Sequence, residues 1–319
     1  MEQIYTFGGY LKEKFDCKVY KVGINISGFT CPNIDGTVAK GGCTFCENDS
    51  FSASTGQLQE LKGFHLNLSS QENPFLEKQL LQLEQQFQAI SNRQKKEYGA
   101  QKFLVYFQSF TNTYAPFETL RALYEKALSF DDVVGLSIGT RSDSITDETL
   151  EYLSALSKTK EIWIEFGIQS VYDETLMRIN RGHDSANVKE WIIKSKKAGL
   201  NVCGHLIFGL PGETQEMMLE TAQQAYKWGI DSVKYHPLYV VKRTALANEY
   251  TRGEFTPIDE ELYLDTLLKA IEMKPENVSV QRITAGINDP TLLAPQWCRD
   301  KNQQVKNINA ALKKVNLKY

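Results

Sequence analysis

The 319 residues contain no apolar run of about 18, the shortest that crosses a bilayer as a helix, so no membrane span is expected. The first stretch, MEQIYTFGGYLKEKF, lacks the apolar core of a secretory leader. Cysteine is scarce, six in all, and without an export signal those thiols are expected to stay reduced in the cytoplasm. Clustered cysteines in that setting are metal ligands more often than disulfides. Charge of one sign is missing too: the net charge is −3 and the pI about 5.9, which leaves no global footprint of a nucleic-acid binder. A local basic patch still fits inside such a total. The lysine-rich spots are Lys95 and Lys96, Lys194 to Lys197, and Lys313, Lys314 and Lys318; they read as solvated helix faces. Low-complexity linkers and internal repeats are absent, and 42% hydrophobic with 24% charged residues is an ordinary globular composition. One domain over residues 1–285 is expected, with an extension over 286–319 packed on it.

What the chain does hold is CPNIDGTVAKGGCTFC at residues 31–46, with cysteines spaced C-x11-C-x2-C. Two intervening residues bring Cys43 and Cys46 to one metal centre, and Cys31 swings in across a loop loosened by Gly36, Gly41 and Gly42. Three sulfurs are an incomplete set for structural zinc, which four ligands normally close. A [4Fe–4S] cluster held by three cysteines instead keeps one iron open. Cys17, Cys203 and Cys298 are scattered and read as structural.

Apolar and β-branched runs predict strands at 19–26, 102–110, 133–138, 161–168, 201–208, 232–239 and 278–283. Helical periodicity lies between them, at 73–98, 117–128, 147–156, across 173–198, at 213–228 and 259–273, with a last helix in 303–315. The glutamines and glutamates of 73–98 are expected to make a solvated outer face, and residues 57–69 read as irregular. Strand and helix in alternation mean a parallel sheet with right-handed crossovers, closed or nearly closed into a barrel. Functional groups then belong at the C-terminal strand ends, where the cysteine loop follows the first strand.

The cysteine loop, with Phe45 just before its last cysteine, resembles the cluster loop of radical S-adenosylmethionine (SAM) enzymes. The usual spacing there is C-x3-C-x2-C; the first gap of eleven is similar to the branch that includes the Elongator catalytic subunit. Other strand ends carry the resemblance further. The fourth strand reads IEFGIQS, similar to the family's VELGVQS, and the fifth reads HLIFGLPGET, close to HxxxGLPGET. SIGTRSD resembles ETRPD, but Gly139 stands for the acidic residue and Ser142 for the proline, leaving Thr140, Arg141 and Asp143 as polar candidates. QSFTNT occupies the place of the glycine-rich turn without its glycines, with Ser109 and Thr111 as candidates toward the SAM amino group.

The resemblance implies an α/β fold, a radical SAM partial TIM barrel of (β/α)6 type with a C-terminal extension. It implies Cys31, Cys43 and Cys46 as ligands of a [4Fe–4S] cluster, and Arg181 of INRGHD beside the SAM carboxylate. Alternation places Glu165, Gly167 and Gln169 on one inward face, where a carboxylate needs a partner or ligand. Gly209 opens the turn whose backbone approaches adenine in relatives; His205 points into the barrel, and His236 is similarly placed. The implied chemistry is one-electron cleavage of SAM to a 5′-deoxyadenosyl radical that takes hydrogen from an inert C–H bond.

The whole-chain pattern resembles bacterial radical SAM proteins near the Elongator subunit but without its acetyltransferase domain. That implies work on a tRNA wobble uridine, specifically carboxymethylaminomethyluridine to aminomethyluridine, with a flavodoxin- or ferredoxin-type electron donor. Binding of tRNA would fall to Lys194, Lys196, Lys197 and the C-terminal lysines. Trp297 is a candidate for stacking on a base or for packing. Two rivals stand beside this reading: radical chemistry on a small molecule or peptide, and a non-catalytic zinc scaffold.

Overall fold

The computed structural model describes residues 2–47, 66, 68, 72–284 and 290–319. Seven parallel strands form one sheet in sequence order: β1 Val19–Ile24, β2 Lys102–Phe107, β3 Val133–Thr140, β4 Glu161–Gln169, β5 Asn201–Phe208, β6 Ser232–Pro237 and β7 Ser279–Arg282. Each pairs with the next in parallel register. Such a ladder requires a crossover between neighbours, and helices Leu76–Tyr98, Phe117–Leu128, Asp147–Ser157, Ser185–Lys197, Gln215–Lys227 and Glu260–Glu272 provide them. The result is the curled, partly closed α/β barrel that the alternation implied. Strands covered on both faces read as apolar runs, and in β2 only Lys102 escapes full burial. Thr146, Asp184, Thr214 and Asp259 cap their helices by accepting a backbone N–H. No helix among the described residues is long and apolar enough to cross a membrane.

Two expectations change. The glutamines of Leu76–Tyr98 do not all face solvent: Gln79, Gln82 and Gln86 are buried. Past Ile24 the chain leaves the sheet, and its backbone groups need other partners. Gln86 accepts from Asn25 N at 3.0 Å and donates to Asn25 O at 2.8 Å. Gln82 accepts from Ser27 N at 2.9 Å, and Gln79 donates to Ser27 O at 2.6 Å. This helix therefore fixes the path into the cysteine loop. The helical region across 173–198 is in fact two helices, Asp173–Arg178 and Ser185–Lys197. Asn180 at φ 54° and Gly182 at φ 82° break it, because both leave the right-handed helical region.

Beyond β7, Leu292–Ala294 pairs antiparallel with Val240–Val241, and helix Lys301–Lys314 sends Ile308 and Leu312 into the main core. Trp297 packs: its ring lies 5.2 Å from that of Tyr263, and its Nε1 donates to Ile258 O at 3.2 Å. The division at residue 285, and most of the stretch 57–69, lie outside the described residues.

Candidate active site

The cysteine loop is held from one side by the chain just after β4. Asn33 is fully buried, and its Nδ2 donates to Asn180 O at 2.5 Å and Arg181 O at 2.9 Å. Thr44 N donates to Ile179 O at 3.0 Å, and Asn180 Nδ2 donates to Gly42 O at 2.8 Å. A Cβ on Gly182 would lie 2.3 Å from Asn33 Oδ1, so the close approach needs glycine there. These contacts turn Cys31, Cys43 and Cys46 toward one cavity of about 170 Å³ at the C-terminal strand ends. Arg181 lines it too; its Nη2 donates to Gly167 O at 2.8 Å and its Nη1 lies 3.8 Å from Cys43 Sγ. Arg141 braces that corner, donating to Arg181 O at 2.8 Å and to both carboxylate oxygens of Asp143. Burial opposes the charge on Asp143, but Arg141 outweighs it and holds the carboxyl below its ordinary range. Burial, then Arg181 and Arg141, pushes His183 down to about 3.

Glu165, at 0% exposure, is the centre of a buried ionic group. Its Oε1 accepts from Ser137 at 2.6 Å and from Lys21; its Oε2 accepts from Lys234 and faces His205 Nε2 at 2.7 Å. Burial works against the carboxylate, but Lys21 and Lys234 hold it well below the ordinary range. Both oxygens are thus satisfied within the protein, and Glu165 reaches the cavity as a wall rather than as a free ligand. Burial lowers Lys21 to about 8 despite Glu165. Burial and then Lys234 lower His205 to about 4, so its imidazole is neutral at pH 7. Tyr106 lies beneath both ammonium groups, 4.6 and 4.4 Å from its ring centre, and accepts from Lys234 at 3.0 Å.

A second chamber of about 250 Å³ shares Phe45, Cys46, Gln108 and His205 with the first and adds Ser109, His236 and Arg282. The His205 and His236 rings lie 6.0 Å apart. Thr111 and Gln169 line the cysteine cavity. Gln169 sits at φ 66° where the β4–β5 register shifts, which carries its amide over Gly167. Gly209 goes elsewhere: it packs on Ile258 and borders a separate cavity of about 700 Å³. Glu213 lines that cavity as well, accepting from Ser170, and burial pushes it up to about 7. Lys21, Lys234 and Arg282 carry site charge that motif reading missed. Their signal was available: single cations inside the apolar strands VYKVGI and SVKYHP, and one closing SVQR.

The three thiols face one cavity without a disulfide. Burial, then Cys43 and Cys31, pushes the Cys46 thiol up to about 12. Around them Ser109 Oγ, Gln169 Oε1 and Arg181 Nε are buried without a partner among the described residues. Soft ligands beside a cation, ringed by unsatisfied polar atoms, fit an iron–sulfur cluster with a polar ligand above it. The family model described as "Radical SAM superfamily" matches residues 35–225. The chain belongs to the radical SAM superfamily. The "Radical_SAM C-terminal domain" matches residues 230–314. As a radical SAM enzyme it takes SAM and a [4Fe–4S] cluster as cofactors, which sets the zinc scaffold aside. Cys43 and Cys46 lie inside the match and Cys31 just before it. Protein YhcC of Escherichia coli K12 is 38% identical over 299 residues, covering 93% of this chain and 88% of that protein. The tRNA uridine(34) acetyltransferase of Methanocaldococcus infernus is 31% identical over 157 residues, 48% of this chain and 29% of that protein. The fold matches the archaeal Methanocaldococcus infernus Elp3 with a TM-score of 0.64 at 19% identity, over 94% of this chain and 64% of that one.

Proposed function

We propose that this radical SAM enzyme acts on the 5-substituent of a tRNA wobble uridine, converting carboxymethylaminomethyluridine to aminomethyluridine. The observation that carries the reading is the stretch shared with a tRNA uridine(34) acetyltransferase. Cys31, Cys43 and Cys46, gathered on one cavity, are the residues to hold the cluster. When bound, the cluster and SAM supply one-electron chemistry that yields a carbon radical able to take hydrogen from an inert C–H bond. The methylene between amine and carboxylate in the uridine arm offers such a C–H bond, and both neighbours stabilise the radical left there. Loss of one further electron from it, which returns the electron borrowed for SAM cleavage, gives an imine. Water splits that imine into aminomethyluridine and glyoxylate, with SAM consumed as the net oxidant. Arg181, whose Nε has no partner among the described residues, would pair with the SAM carboxylate, and Ser109, Thr111 and Gln169 would offer polar atoms to its other groups. Glu165 acts as a positioning residue, holding His205 toward the cavity. Phe45, Phe110, Ile207 and Leu238 line the second chamber and exclude water from a reactive radical. A flavodoxin- or ferredoxin-type protein would supply the electron.

The test is mass spectrometry of tRNA nucleosides from cells with and without the gene. Carboxymethylaminomethyluridine should accumulate in the deletion and be cleared by wild type but not by Cys43→Ala. An unchanged wobble-uridine profile removes the substrate. A second reading, chemistry on a small molecule or peptide, is favoured by the lysines assigned to RNA. Lys194 pairs with Glu190, and Lys196 pairs with Asp231 at 2.6 Å, so neither is free for phosphate. Fluorescence anisotropy with unmodified tRNA separates the two, because only the first requires binding that weakens with salt.

A further inference from the structure

Charge does not balance around the second chamber. Among the described residues its wall holds Arg282 and neither aspartate nor glutamate. Arg282 ends β7, is exposed, and has no ion pair or side-chain hydrogen bond among the described residues. Glu165, in the wall of the adjoining cavity, is already shared by Lys21 and Lys234. Arg282 is therefore the cation of the chamber wall, and no carboxylate of that wall among the described residues meets it. The histidines do not add to the surplus. Burial, then Arg282 and His205, holds His236 well below its ordinary value, and His205 is likewise neutral. His236 has no hydrogen-bond partner among the described residues, so its ring is open to a ligand. The chamber continues into the cysteine cavity past Cys46 and His205.

We propose that this chamber is a carboxylate site, in which Arg282 anchors the carboxylate of an N-substituted glycine and His236 faces its amine. A guanidinium presents a planar fork that takes a carboxylate through two parallel hydrogen bonds. The carboxylate restores the charge balance, and the methylene next to it is left at the boundary with the cysteine cavity. The proposal rests on the reading that the substrate arm is carboxymethylaminomethyl, and it names the residue that would recognise that arm.

Isothermal titration of the cluster- and SAM-loaded protein, with no reductant present, compares carboxymethylaminomethyluridine with its neutral carboxamide. Wild type is expected to prefer the carboxylate by about tenfold or more, the scale of one charge-assisted pair. Arg282→Gln should lose that preference while keeping its affinity for the amide and its cluster absorbance; Arg282→Lys should recover part of it. Equal binding by wild type, no binding of either nucleoside, or a preference that survives in Arg282→Gln overturns the site. The tRNA reading fails separately. If the preference depends on Arg282 while the deletion strain has unchanged wobble uridines, the carboxylate site stands and the tRNA substrate falls. If the nucleoside accumulates but Arg282→Gln keeps the preference, the substrate stands and Arg282 is excluded.

Discussion

Replacing Glu165 by glutamine leaves Lys21 and Lys234 facing each other without their shared carboxylate. Breaking a buried ion pair from one side costs roughly 3–5 kcal/mol, and chemical denaturation of Glu165→Gln should show a loss on that scale. The sign of the pH dependence follows from the depressed carboxyl. Its stabilisation is fully present above pH 4.5, its ordinary value, and is lost as pH falls toward its folded value. The contribution of the carboxylate to the gap between wild type and Glu165→Gln should therefore fade as pH falls below 4.5; a gap that grows there would refute the assignment. The inward carboxylate was legible in IEFGIQS, because alternation along a strand fixes which side chains share a face. Its partners were not, since Lys21 and Lys234 lie 144 and 69 residues away in the chain.

At the scale of elements, the site depends on one loop clasping another. Residues Ile179 to Gly182 hold the cysteine loop through Asn33. Gly182→Ala puts a methyl against Asn33 Oδ1 and Val38 at a φ of 82°. Strain of this kind costs on the order of 1–3 kcal/mol, borne by the loop rather than by the sheet. The expected outcome is a folded protein by circular dichroism that carries less iron per chain after anaerobic reconstitution; full iron would mean that the clasp does not set the ligands. The INRGHD motif marked this region, but helical periodicity ran through it. The break needed Asn180 and Gly182 to leave helical geometry, which periodicity alone does not report. The buried glutamines of Leu76–Tyr98 escaped notice for a related reason. Composition calls glutamine polar, while the orphaned backbone at Asn25 and Ser27 makes it the right partner inside.

Across the whole molecule, the cysteines stand apart from what holds the barrel together. Cys43 and Phe45 pack in a small apolar layer with Leu176, Ile179 and Leu210, separate from the main core of the sheet and its helices. Removing iron with a chelator should therefore loosen that layer while the far-ultraviolet spectrum stays. The unfolding midpoint should move by only a few degrees, the shift that about 1 kcal/mol makes in a chain of this size. Global unfolding on chelation, as in a zinc-dependent fold, would show that the metal holds the barrel. The same separation explains Gly209. Its turn does follow β5 as the motif indicated, but it packs on Ile258 beside a different cavity, outside the two chambers at the cysteines.

The sequence by itself determined the order and parallel sense of the strands, the cysteine spacing and the inward face of β4, because each depends on local periodicity and on rules of connection. Tertiary structure decided which of those side chains meet. Glu165 gains two lysines, Gln169 turns over Gly167 at a register shift, and Arg282 meets no counter-charge among the described residues. These outcomes follow from how the sheet curls its first and last strands toward the middle ones, a long-range closure that no local pattern encodes.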